Sequence, residues 1–194
     1  MAYDVKLEGK NMKIAERMLK NIVKICKHCN INSSLEAGTL LGIFRENRLL
    51  PWDNDLDLSV LSNESNKFEN LIKTLKKSNY RVKVRYFLKD NAPFKKGDIR
   101  VIKIRESFFL GLIKGNICLE IFVLYPMDNK FYWKVGNKKA CVPDKFFKSY
   151  SKINFQNQKY LIPKHTEDYL KYRYGDWNKQ KKKWDSLNDD LSLE

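Results

Sequence analysis

Three aspartates stand at alternate positions in Pro51-Trp-Asp-Asn-Asp-Leu-Asp-Leu58, and no Lys or Arg occurs between Arg48 and Lys67. Asp53, Asp55, Asp57 and Glu64 give that interval a charge of −4, in a chain whose 38 basic and 23 acidic residues sum to +15. Leu56, Leu58 and Val60 alternate with Asp55, Asp57 and Ser59, the period of a half-buried strand. On such a strand Asp55 and Asp57 share a face about 6–7 Å apart and repel by about 2–3 kcal/mol at an effective dielectric near 20. A divalent cation relieves that repulsion, and Mg²⁺ is commonly held by one or two carboxylates plus substrate phosphates. Upstream, Gly38-Thr39 at a helix start offers free backbone N–H groups, a hydroxyl and close backbone approach to a phosphate.

Two other uses of the same residues are weaker. Asp53, Asp55, Asp57 and Glu64 occupy positions one, three, five and twelve of a calcium loop, but the sixth position needs Gly and holds Leu58. A merely solvated acidic turn accounts for one aspartate better than for the set. Cys26-Lys27-His28-Cys29 raises a zinc or redox site. Met12, Ala15, Leu19, Ile22, Cys26 and Cys29, however, recur at helical spacing, so both sulfurs join the buried stripe of a helix over about 9–30 and act as core residues. His28 falls off that stripe.

The elements that must position the aspartates follow from pattern. A short strand near Ser33–Ala37 precedes a helix that starts at Thr39 and is ended by Pro51. The acidic strand comes next, then a helix over about Glu64–Lys77. Further strands are expected near Arg81–Leu88, Ile99–Arg105 and Asn116–Leu124. Pro163, Thr166, Glu167 and Asp168 open a last helix and Gly175 stops it. The 194 residues fit one domain over 1–194, with a motif core at about 33–125 and a C-terminal helical element at about 160–185.

Ala37-Gly-Thr-Leu-Leu-Gly-Ile-Phe-Arg45, then Leu50-Pro-Trp-Asp-Asn-Asp-Leu-Asp-Leu58, resembles the signature of the LicD/fukutin-related family. Cys118-Leu-Glu-Ile-Phe-Val-Leu-Tyr-Pro126 and Ile162 to Trp177 follow in the family's order. The resemblance implies an α/β (α+β) nucleotidyltransferase-like fold, a small mixed sheet flanked by helices. It also implies an enzyme that moves phosphocholine or a polyol phosphate from a CDP-linked donor to a sugar hydroxyl of a glycan or glycan precursor, free or lipid-linked, with Mg²⁺ or Mn²⁺ as cofactor. By position, Gly38 and Thr39 match the phosphate-binding turn, and Arg45, Pro51 and Trp52 the linking motif. Asp55 and Asp57 match the metal ligands, with Asp53 a further candidate, and Glu120 the third carboxylate, as ligand or as base. Asn54 stands where many relatives have Asp, and Glu120 where Asp is commoner.

The basic surplus lies after the first third: residues 1–61 hold nine basic and eight acidic side chains, against fourteen and six over 62–125. It favours anionic partners, with Arg100, Lys103 and Arg173 as candidates to hold a donor or a phosphorylated acceptor. Lys179-Gln-Lys-Lys-Lys183 reads as a solvated face, although Trp177 and Trp184 beside it keep base stacking in view. Two alternatives therefore stand beside the phospho-alcohol reading. One is a nucleotidyltransferase passing NMP to RNA or a small molecule; the other is a non-catalytic RNA-binding module on the same fold. The sequence shows neither a membrane span nor a secretory signal, which places the chain in the cytoplasm or peripherally at a membrane.

Overall fold

Apolar residues at helical spacing build the first element, α1 (Lys10–His28), whose Ala15, Met18, Leu19, Ile22 and Cys26 are buried. The computed structural model describes residues 5–109 and 112–194. After α1 come β1 (Ser34–Leu35), α2 (Ala37–Glu46), β2 (Leu56–Leu61), α3 (Phe68–Lys77), β3 (Tyr80–Tyr86), β4 (Ile99–Phe108) and β5 (Ile113–Lys114). They are followed by β6 (Leu119–Met127), β7 (Lys130–Val135), β8 (Lys138–Pro143), β9 (Tyr150–Phe155), β10 (Gln158–Pro163) and α4 (Thr166–Tyr174). The strands form one mixed sheet in the order β3-β4-β6-β2-β1-β10-β9, with β5 beside β4 and the β7–β8 hairpin beside β6. The β2–β6 and β1–β10 pairs are parallel and the others antiparallel. This is the expected class of mixed sheet with flanking helices.

The sheet is larger than the pattern suggested because β7 to β10 were not read from the sequence. Their lysines interrupt the apolar alternation, and Pro126 and Pro143 resemble strand breakers. The turn chemistry was nevertheless present. Asp128-Asn129 and Gln156-Asn157 both take left-handed backbone at consecutive positions, the conformation of tight hairpin turns. The C-terminal element is accordingly strand β10, then α4, then irregular chain, rather than helix over 160–185.

Between sheet and helices lies a continuous core in which Leu56, Leu58 and Val60 of β2 meet Leu40 and Ile43 of α2 and the stripe of α1. Cys26 and Cys29 are buried free thiols in that core, burial pushing Cys26 up to about 12, while His28 is exposed. Gly42 is where α2 crosses the loop behind it. A Cβ there would come 2.7 Å from the Arg48 carbonyl oxygen and 2.9 Å from Leu50. None of the described helices is long and apolar enough to cross a membrane.

Candidate active site

Strand parity builds the site. The register sets Lys83 beside Lys103, Lys103 beside Glu120, and Glu120 beside Asp57. Leu35 pairs with Leu58, and the Glu36 N–H donates to the Asp57 carbonyl at 3.1 Å, so Glu36 extends the same row. Five neighbouring strand positions thus carry two lysines and then three carboxylates. One step along each strand on that face, Arg81 stands beside Arg105. The row floors a cleft of about 1760 Å³ that is also lined by Gly38, Trp52, Asp53, Asp55, Arg100 and the C-terminal segment. Its size exceeds the ~300–1,000 Å³ of a usual small-molecule pocket, leaving room for a donor and an acceptor together.

The acidic end is only partly compensated, by Lys103 and Arg105 acting on Asp55. Burial pushes Asp53 up to about 6; burial, then the charges of Asp53 and Glu120, push Asp55 up to about 7. Asp57 is only 8% exposed. Burial, followed by Asp55, Asp53 and Glu120, drives it well above the usual carboxylate range. The second oxygen of Glu36, Oε2, is buried with no hydrogen-bond partner among the described residues. Glu120 differs: Lys103 Nζ donates to its Oε1 at 2.5 Å. No three His, Cys, Asp or Glu side chains among the described residues are arranged to enclose a metal ion. The donor set present is a carboxylate pair, Asp55 and Asp57, with Asp53 next to it. Such a pair fits Mg²⁺, which keeps several waters and takes its remaining oxygens from substrate phosphates.

The turn at the start of α2 is built differently from a bare phosphate cradle. Ala37 adopts φ +45° and Glu36 caps the helix through its own side chain. The room left by the absent side chain of Gly38 is taken by Asp53, whose Oδ2 lies 2.0 Å from where a Cβ would be. Thr39 is buried; its Oγ1 accepts the Asp57 N–H at 2.9 Å, tying helix to strand. It therefore acts on Asp57 from behind and does not line the cleft.

Several of the residues expected to bind substrate serve the chain itself. Arg45 pairs with Glu46 at 2.6 Å and donates to the Trp177 carbonyl at 2.9 Å, clamping the C-terminal segment. Arg173 is buried between Glu36 and Asp190 and bonded to both. Arg100 donates to the Gly136 carbonyl at 2.6 Å while still facing the cleft. Trp52 lies under Arg48 and Lys182 at 6.0 and 5.9 Å. Asp53, Asp55, Asp57, Glu120, Lys103, Gly38, Arg100, Trp52, Arg45 and Arg173 thus all line one cleft, the last two bonded to partners within the chain. Sequence reasoning missed Glu36, which falls within the short strand expected near Ser33–Ala37, and Arg81, Lys83 and Arg85. The last three alternate along β3 toward the cleft and make no ion pair among the described residues.

The sequence model described as LicD/FKTN/FKRP, nucleotidyltransferase domain, matches residues 30–165. An uncharacterized protein of Rickettsia typhi is 24% identical over 174 residues, covering 87% of this chain and 46% of its own. One of Rickettsia prowazekii is 21% identical over 179 residues, covering 90% and 59%. The chain spans about half the length of these curated relatives. Among solved structures, ANT(2″)-Ia with adenylyl-2″-tobramycin aligns at TM-score 0.44 and 12% identity, over 80% of this chain and 74% of that one. A solution structure of ANT(2″)-Ia aligns at TM-score 0.44 and 11% identity, over 76% and 63%.

Proposed function

The chain belongs to the LicD/FKTN/FKRP nucleotidyltransferase-domain family, and on that premise we propose that it transfers a phosphorus-bearing group from a nucleotide donor to a hydroxyl in the cleft floored by Asp57, Glu120 and Lys103. The observation carrying this reading is the split floor of the cleft. Carboxyls that stay raised although Lys103 and Arg105 act on Asp55 stand at one end, and cationic side chains on β3 and β4 at the other.

Asp55 and Asp57 would hold Mg²⁺ or Mn²⁺. A bound ion would neutralise charge on the donor phosphates and on the leaving group. Arg81, Lys83 and Arg85 add positive potential along the opposite wall and hold the anionic part of the donor or acceptor there. Glu120 accepts the proton of the acceptor hydroxyl as its oxygen bonds to phosphorus and the bond to the leaving group breaks. Lys103 keeps that carboxylate oriented. Thr39 fixes the Asp57 backbone. The remainder is positioning and electrostatics, as in phosphoryl transfer generally.

Two choices of transferred group remain. Nucleotidyl transfer, which releases pyrophosphate, is favoured by the family's description as a nucleotidyltransferase domain. Transfer of phosphocholine or a polyol phosphate from a CDP-linked donor, which releases CMP, is favoured by the Gly38-Thr39 and Pro51-Trp52-Asp53 signature. The test is a thermal-shift panel of CTP, CDP-choline, CDP-ribitol, CDP-glycerol and UDP-sugars with and without Mg²⁺, followed by product analysis. Metal-dependent stabilisation by a cytidine nucleotide, absent in Asp57→Asn, is the expected result, and the released product decides between the two choices. Binding of RNA alone, salt-sensitive and indifferent to metal, would replace the enzymatic reading with a binding module.

A further inference from the structure

The β4–β5 hairpin ends in large apolar side chains that the core does not take in. Phe108 is 45% exposed, Phe109 74%, Leu112 84% and Ile113 52%. Leu110 and Gly111, which join them in the chain, lie outside the described residues. Phe108 pairs across the hairpin with Ile113, and Phe109 and Leu112 follow at the turn. Four exposed apolar side chains gathered at the end of one hairpin suit an apolar medium.

The surroundings of the tip are basic. At the root of the hairpin Lys114 is exposed and Arg105 donates to the Gly115 and Asn116 carbonyls, while the neighbouring acid, Glu106, is paired with Arg17 at 2.8 Å. Ser107 N–H donates to the Asn79 carbonyl at 2.9 Å, which brings the α3–β3 turn, with exposed Lys76 and Lys77, to the root of the hairpin. Arg81 stands beside Arg105 at the same end of the sheet.

From these observations we propose that the hairpin tip is a membrane-docking element. It inserts Phe108, Phe109, Leu112 and Ile113 into the outer part of a bilayer, while the basic collar contacts anionic headgroups. Apolar insertion and attraction to anionic lipid act together here, since two modest signals hold a peripheral protein where neither alone suffices. Five residues of strand separate Phe108 from Lys103, so a docked tip keeps the cleft within about 17 Å of the bilayer. The docking does not rest on the transfer reading.

The test is co-sedimentation of the protein, without nucleotide or metal, with vesicles of phosphatidylcholine and of phosphatidylcholine with one quarter phosphatidylglycerol. Binding to the anionic vesicles is expected, weakened by 0.5 M NaCl and reduced at least about tenfold in Phe109→Ser/Leu112→Ser. Both positions are exposed, so that variant should keep the parent melting temperature. Should it misfold, Lys76→Glu/Lys77→Glu is expected to lose anionic selectivity instead. Binding to neither vesicle, or binding unchanged in both variants, overturns the proposal. So does a dimer in solution that Phe109→Ser/Leu112→Ser dissociates without any vesicle binding, since a second copy would then cover the tip. Nucleotide binding is measured separately, so failure of the docking and failure of the transfer reading are told apart.

Discussion

Two sets of buried carboxylates lie on either side of Glu36, and they have been resolved in opposite ways. On one side Arg173 bonds to both Glu36 and Asp190, and Tyr169 OH donates to Glu36 Oε1 at 2.5 Å. Burial alone would raise Asp190, but Arg173 and Ser192 outweigh it and hold its carboxyl below the usual range. On the other side Asp53, Asp55 and Asp57 are all raised, first by burial and, for Asp55 and Asp57, also by one another. Lys103 and Arg105 act on Asp55 but do not offset that rise, whereas Arg173 brings Asp190 down. The first set is finished by the chain itself. The second is left in need of a cation from outside, and that contrast separates a structural knot from a binding site better than burial or charge count does.

The largest effect is expected from undoing the knot. Arg173→Met leaves Glu36 and Asp190 buried without their partner and should cost about 3–5 kcal/mol of stability, read from the urea midpoint. The site should answer in the opposite sense. Asp57→Asn removes a carboxyl whose ionised form its burial disfavours, so stability holds or rises, while transfer activity falls by about 10²–10³-fold in steady-state assays. If Asp57→Asn unfolds the protein as Arg173→Met does, the two sets are alike and the contrast fails.

How much of this could be read from the sequence follows from the same contrast. The acidic strand was legible because its alternation is local: period two alone places Asp55 and Asp57 on one face and Leu56 and Leu58 in the core. The destinations of Arg45 and Arg173 were not legible. A cation in sequence does not declare whether it faces a ligand or a carboxylate of its own chain, and the partners of Arg173 lie 137 and 17 residues away. Glu36 falls within a stretch read as a short strand, yet it caps α2, and its place beside Asp57 depends on how β1 pairs with β2. The Lys83–Lys103–Glu120–Asp57 row likewise exists only through strand order, which no local pattern contains.

A finer break separates the two glycines of α2. Gly42→Ala drives a Cβ against the Arg48 carbonyl oxygen at 2.7 Å, backbone that cannot swing aside, and should cost about 1–3 kcal/mol in thermal unfolding. Gly38→Ala meets the end of the Asp53 side chain instead, which can rotate away. Its stability should change by less than about 1 kcal/mol, with the loss appearing in metal-dependent nucleotide binding. Equal destabilisation by the two substitutions would mean that Asp53 is as fixed as the core.

The two sets are also separated by pH, because they titrate in different windows. Asp53 at about 6 and Asp55 at about 7 lie above the ~3.9 of an unfolded aspartate. Between about pH 4 and 7 the folded state therefore binds more protons than the unfolded one. Stability must fall as pH rises through that interval, by about 1–2 kcal/mol once relaxation is allowed for, and go on falling above it as Asp57, raised well above the usual range, ionises in turn. Asp190 is depressed, so its contribution is complete above the unfolded value and is lost only as pH falls below about 4. Melting curves of metal-free protein from pH 3 to 8 should show stability rising from the acid limb, reaching a maximum near pH 4–5, and declining toward pH 7. Millimolar Mg²⁺ should flatten the decline and leave the acid limb untouched, because only the ionised cleft carboxylates gain from the ion. A decline that persists unchanged in Asp55→Asn/Asp57→Asn would assign it to other groups and remove the charge asymmetry on which the site was identified.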